Sequence, residues 1–126
     1  MGFGDAVRAV MSKYATFSGR ARRAEFWYWF LAIILAEIVL GIIGGVLASV
    51  SDSLSMVSML LLAVLVIAII VPTLAVTVRR LHDTGRSGWW WFIGAVPAIG
   101  PILLIVWYCT PGTPGSNAFG LDPIIA

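Results

Sequence analysis

His82 and Asp83 stand side by side in "RRLHDTGRSGWWWF", residues 79–92. A histidine oriented by a carboxylate is a common basis for general-base chemistry. Adjacent residues on a helix do not face each other, so this pair would need a turn in order to meet. The order "RRLHD" also differs from the kinase "HRD", no glycine-rich phosphate loop accompanies it, and no motif places a serine or cysteine nucleophile. One histidine and one cysteine, Cys109, make a zinc site implausible. The sequence therefore assigns no catalytic residue, no metal and no cofactor. An enzyme acting on lipid headgroups through His82 and Asp83 ranks behind the readings below.

The arginines offer a different chemistry. Arg79, Arg80 and Arg86 lie in this block, and Arg20, Arg22 and Arg23 lie in "SGRARRAEFW", residues 18–27. Guanidinium groups suit bidentate pairing with carboxylates or lipid phosphates. Glu25 and Asp83 are the acidic residues beside the two blocks, so each is expected to pair with an arginine, with Asp83 as the central acceptor. The expected unit is one structural or phosphate-binding cluster of Arg20, Arg22, Arg23, Glu25, Arg79, Arg80, His82, Asp83 and Arg86, in which His82 bonds and does not act as a base. Asp83→Asn should then be damaging and His82→Gln mild. Trp27, Trp89, Trp90 and Trp91 mark an interfacial aromatic belt.

These residues must be held by apolar elements. The hydrophobic fraction is 60% and the charged fraction 11%, against roughly 45–50% and about 25% in soluble domains. So small a chain could not hide that excess from water, and it must face lipid. Three runs, about 26–48, 56–78 and 89–109, are long enough to cross a bilayer, which needs roughly 20 residues. "SVSDSLS" joins the first two and carries hydroxyls able to cap a helix. Before them, Phe3, Val7, Val10, Met11, Tyr14 and Phe17 share one helical face. That face lies either in the membrane interface or against the protein's own spans. The polar leader is too long for a signal peptide. The third run carries Pro97, Gly100 and Pro101 near its middle, and a span kinked at Pro97 and Pro101 is expected in preference to a re-entrant loop. Residues 110–126 form a Pro/Gly-rich tail.

Glu37 stands near the centre of the first run, where an ionised carboxylate costs a few kcal/mol. It should face protein. A protonated Glu37 could donate to the Pro97 carbonyl that Pro101 frees, with Gly41, Gly45, Gly94 and Ala98 permitting close approach. The functional alternative is a proton relay or transport site. Every Lys and Arg precedes the first run or lies between the second and third. The positive-inside rule makes that side cytoplasmic, and three crossings then put the C-terminus outside. The whole reads as a single integral membrane domain, 1–126: an all-α protein with three transmembrane helices, preceded by an interfacial amphipathic helix and a basic linker over 1–24.

The chain resembles the bacterial inner-membrane family known as domain of unknown function 805, the YhaH-like proteins. The matching stretches are "FSGRARRAEFW" (17–27), "PTLAVTVRRLHDTGRSGWW" (72–90), "PAIGPILL" (97–104) and "PGTPGSNAFGLDP" (111–123). Where the family commonly has Asn-basic-Tyr-Gly, this chain has Asn117, Ala118, Phe119 and Gly120. The resemblance implies a small multi-pass protein of the bacterial inner membrane and supplies no activity. The leading expectation is a non-enzymatic accessory or interaction subunit of a membrane complex. The alternative is a minimal oligomeric transporter or channel using Glu37. The partners expected are membrane lipids, other membrane-protein subunits or a second copy, and not nucleic acid.

Overall fold

Ser51 divides the apolar sequence into two long helices. Its backbone is extended and its side chain accepts from the Leu54 amide at 3.4 Å, capping the second helix as it ends the first. The computed structural model describes residues 1–124. After a short α1 (Phe3–Ser12), α2 runs over Arg23–Val50 and α3 over Asp52–Asp83. At 1.5 Å per residue, their 28 and 32 residues extend about 42 and 48 Å, beyond the ~30 Å of a hydrocarbon core. They lie antiparallel: Glu25 meets Arg79, Trp29 Nε1 donates to Thr73 Oγ1 at 3.1 Å, and Gly44 faces Ser58.

Pro72 sits inside α3 without ending it. Its missing N–H leaves the Ala68 carbonyl without a helical donor, and the Tyr14 hydroxyl donates to that oxygen. The segment after α1 is thereby tied to the middle of α3. On α1 itself, Ala6 and Val10 are fully buried and Phe3 meets Tyr28 edge-on at 5.9 Å. Its inner face thus packs on the protein's own helices.

The third apolar run is corrected by the structure. It is not one kinked span but two short arms, a 3-10 helix over Gly88–Ala95 and α4 over Ile99–Cys109. The arms fold back on each other, with Trp90 edge-on to Trp107 at 5.7 Å and Gly94 against Leu104. Gly88 starts beside Val78 of α3, and the Cys109 carbonyl returns to Arg23 of α2. Each arm is about 16 Å long at its helical rise, half a bilayer core. Pro97 and Pro101 set the break, and Ala98 completes it with φ 65° and an Ile99 N–H to Pro97 carbonyl bond of 2.8 Å. That is a γ-turn in the strained positive-φ form. A Cβ at Gly100 would overlap the Ile93 carbonyl, so only glycine lets the arms close. In consequence the tail leaves from the same end as α1, against the expectation that three crossings would separate them. Its last two residues lie outside the described residues.

The core is confined to this basic end, where Val10, Phe26, Trp29, Val76, Leu81, Leu104 and Tyr108 pack together. Towards Ser51 only α2 and α3 remain, and their outer faces are uncovered: Ile42 is 64% and Met56 73% exposed.

Candidate functional site

The C-terminal turn of α3, the first turn of α2, the linker and the tail converge on two carboxylates. Asp83 accepts from Arg20 Nε at 2.9 Å and from Arg80 Nη1 at 2.6 Å, one arginine on each oxygen. Glu25 accepts from Arg79 Nη1 at 2.6 Å. All five side chains are buried. Charges removed from water need partners on nearly every polar atom, and backbone carbonyls supply the remainder. Arg20 also donates to the carbonyls of Thr113 at 2.5 Å and Gly115 at 2.6 Å. Arg80 donates to the carbonyls of Tyr108, at 3.0 and 3.1 Å, and Thr110, closing the C-terminal end of α4, whose last carbonyls lack helical donors. Arg79 Nε reaches the Thr16 carbonyl at 3.1 Å, while its Nη2 has no partner among the described residues. Burial lowers the pKa of Arg80; the facing Asp83 opposes this, and the charge of Arg23 adds to it.

The tail is shaped to reach this cluster. The Thr113 N–H donates to the Asp83 carbonyl at 2.7 Å, and a Cβ on Gly112 would overlap the Asp83 carboxylate. Asn117 Nδ2 donates to the His82 carbonyl at 2.9 Å. His82 itself turns away from Asp83. Its ring stacks on Phe119 at 4.1 Å and 4°, and Nδ1 lies 2.9 Å from the Gly19 carbonyl. A carbonyl can only accept, so Nδ1 carries the proton. Burial lowers the His82 pKa, favouring the neutral ring. The two oxygens of Asp83 are held by arginines, and no His–Asp dyad forms.

The structure brings Arg20, Glu25, Arg79, Arg80 and Asp83 into direct contact, with His82 adjoining through the backbone and tail. Arg22, Arg23 and Arg86 make no ion pair among the described residues. Arg23 Nη1 donates to the Cys109 carbonyl at 3.1 Å, and Arg86 lies 4.4 Å over the Trp107 ring. Trp27 Nε1 donates to the Tyr108 carbonyl at 3.3 Å. Trp89, Trp90 and Trp91 ride on the 3-10 arm, all exposed. Glu37 is not placed as expected: it is exposed, and the bond to Pro97 is absent. Trp29, Ile33, Ala36 and Gly44 face α3, while α4 meets α2 near its start, at Phe26 and Trp27. Cys109, which a full crossing by 89–109 would carry to the opposite interface, lies at the basic end beside Arg23.

Sequence reasoning missed the tail's contribution and the Tyr14–Pro72 tie. The glycines of "PGTPGSN" signalled close approach without saying to what. Pro72 signalled a free carbonyl by the same rule applied to Pro101.

Comparison with known proteins gives these contacts a family. The model described as "Protein of unknown function (DUF805)" matches residues 14–121. The chain is 42% identical to the inner membrane protein YhaI of Escherichia coli K12 over 115 residues, 91% of this chain and 92% of that one. It is 40% identical to the inner membrane protein YhaH of the same strain over 114 residues, 90% and 92% of the two chains. An uncharacterized protein, YiiR, is 33% identical over 97 residues, 77% of this chain and 60% of that one. No solved structure matches. The match spans the linker, both long helices, the folded-back arms and the tail, and the chain belongs to the DUF805 family.

Proposed function

We propose that the chain is a bacterial inner-membrane protein crossing the bilayer twice, through α2 and α3, with 88–109 as a re-entrant hairpin and both ends of the described chain in the cytoplasm. α1 lies against the spans at the cytoplasmic interface. Its task is non-enzymatic: it associates laterally, as an accessory or interaction subunit of a membrane complex. The observation that carries this is Glu37, an exposed carboxyl within a span and without an ion-pair partner among the described residues. Such a group in lipid is costly and marks a functional contact by default. Beside it the positions of Gly41 and Gly45 have open space, suited to close helix approach. The ion cluster supports the same reading, because its carboxylates are occupied in holding the fold.

Purification in a mild detergent followed by mass analysis of what stays attached tests this. A stable complex with other membrane proteins, weakened by Glu37→Leu and kept by Glu37→Gln, is expected. Recovery of a lone monomer indifferent to Glu37→Leu would remove the reading. The same carboxyl supports one rival, an oligomeric transporter or channel whose path is lined by Glu37. A homo-oligomer that loses function on Glu37→Gln while staying assembled would favour it.

A further inference from the structure

At the basic end, α2 presents a groove beside the ion cluster, lined by none of its paired residues. It measures about 430 Å³ and is lined by Arg23, Ala24, Trp27, Tyr28 and Cys109. Arg23 is exposed, and one of its nitrogens is tied to the Cys109 carbonyl at 3.1 Å. The guanidinium is thereby positioned, with most of its five donors still free. Trp27 is fixed in the same way by its bond to the Tyr108 carbonyl. No carboxylate lines the groove, and Arg23 has no ion-pair partner among the described residues. Its charge also bears on the buried Arg80 nearby, so an anion in the groove would relieve both. From the groove an apolar track follows the same outward face of α2 through Leu31, Ile34, Leu35 and Ile38, all exposed.

The geometry points to a binding site for one anionic phospholipid, its phosphate on Arg23 between Trp27 and Tyr28, its acyl chains along the outer face of α2. This rests on the membrane embedding proposed above, but not on the accessory role or on Glu37. The headgroup chemistry alone would also admit free phosphate. The apolar track selects the lipid.

Cys109 is the only cysteine and is exposed on the groove wall, so it reports occupancy. The full chain is placed in nanodiscs of phosphatidylcholine, with or without one-third phosphatidylglycerol (by composition), and the rate of labelling by an uncharged maleimide is measured. In the wild type the anionic lipid should slow labelling about fivefold, the effect of a single arginine contact with an anionic headgroup. Arg23→Gln should abolish that protection, Arg23→Lys should reduce it, and Arg22→Gln, outside the groove, should leave it intact. Native mass spectrometry should find phosphatidylglycerol retained by the wild type and lost from Arg23→Gln. Should Arg23→Gln fail to fold, the comparison of Arg23→Lys with Arg22→Gln carries the same contrast. Equal slowing in wild type, Arg23→Gln and Arg22→Gln would reduce the effect to surface charge and overturn the site. Protection by inorganic phosphate alone in phosphatidylcholine discs would overturn the lipid assignment.

Discussion

At the residue scale, Asp83 is the acceptor on which the basic end depends. Replacing it with Asn keeps the shape but leaves Arg20 and Arg80 buried without a counter-charge. Breaking one side of a buried pair costs roughly 3–5 kcal/mol, so Asp83→Asn should sharply lower the unfolding midpoint in detergent. A midpoint close to wild type would mean that the surrounding carbonyls suffice. His82 carries a separate and milder dependence. Its pKa in the fold lies below the ordinary value of 6.5, so the unfolded chain takes up the proton first. Stability is therefore complete above about pH 6.5 and should fall as pH drops from there through the folded-state pKa. His82→Gln should flatten that part of the midpoint-against-pH curve, with little loss at pH 8. The side-chain types made such ion pairs readable before the fold. The carbonyls that complete Arg20 and Arg80 were not readable, because backbone acceptors from residues 108–115 carry no residue-type signal.

At the element scale, two devices do what helix propensity alone would not. Pro72 costs α3 one bond, and Tyr14 replaces the missing donor at the Ala68 carbonyl. Tyr14→Phe should destabilise the protein by about 1–2 kcal/mol, and by much less when Pro72→Ala has restored the N–H, a coupling that a double-mutant cycle reads directly. Equal losses in both backgrounds would show that Tyr14 does not act by replacing the donor that Pro72 lacks. The second device is the turn at Ala98, and Gly100→Ala should open the arms, since a Cβ there meets the Ile93 carbonyl. Proteolysis or labelling of introduced cysteines in 88–109 would report the opening. The long helices were legible from run length, and a break at Pro97–Pro101 was legible too. Whether the chain would bend or reverse was not. That choice rests on Trp90 meeting Trp107 and on Ala98 accepting a positive φ, neither of which periodicity encodes.

At the scale of the whole molecule, the tail decides the topology. Basic residues locate one side of the bilayer for the linker and the end of α3, but the tail has no Lys or Arg, so the rule counts nothing there. The folded contacts do. Moving the tail to the other face would strip Arg20 of the Thr113 and Gly115 carbonyls and Arg80 of those of Tyr108 and Thr110. Buried guanidinium groups would then be left with unfilled donors, each costing about 1–3 kcal/mol or more. The tail and the linker therefore share a side, which in the proposed topology is the cytoplasm. In a Cys109→Ser background, an impermeant maleimide applied to intact cells whose outer membrane is opened should label Ser53→Cys, at the far end of the hairpin. Ser116→Cys, exposed on the tail, should be labelled only after the inner membrane is broken. Labelling of Ser116→Cys from outside, in a protein that still binds and folds normally, would restore the three-span topology and place the arms of 88–109 across the bilayer.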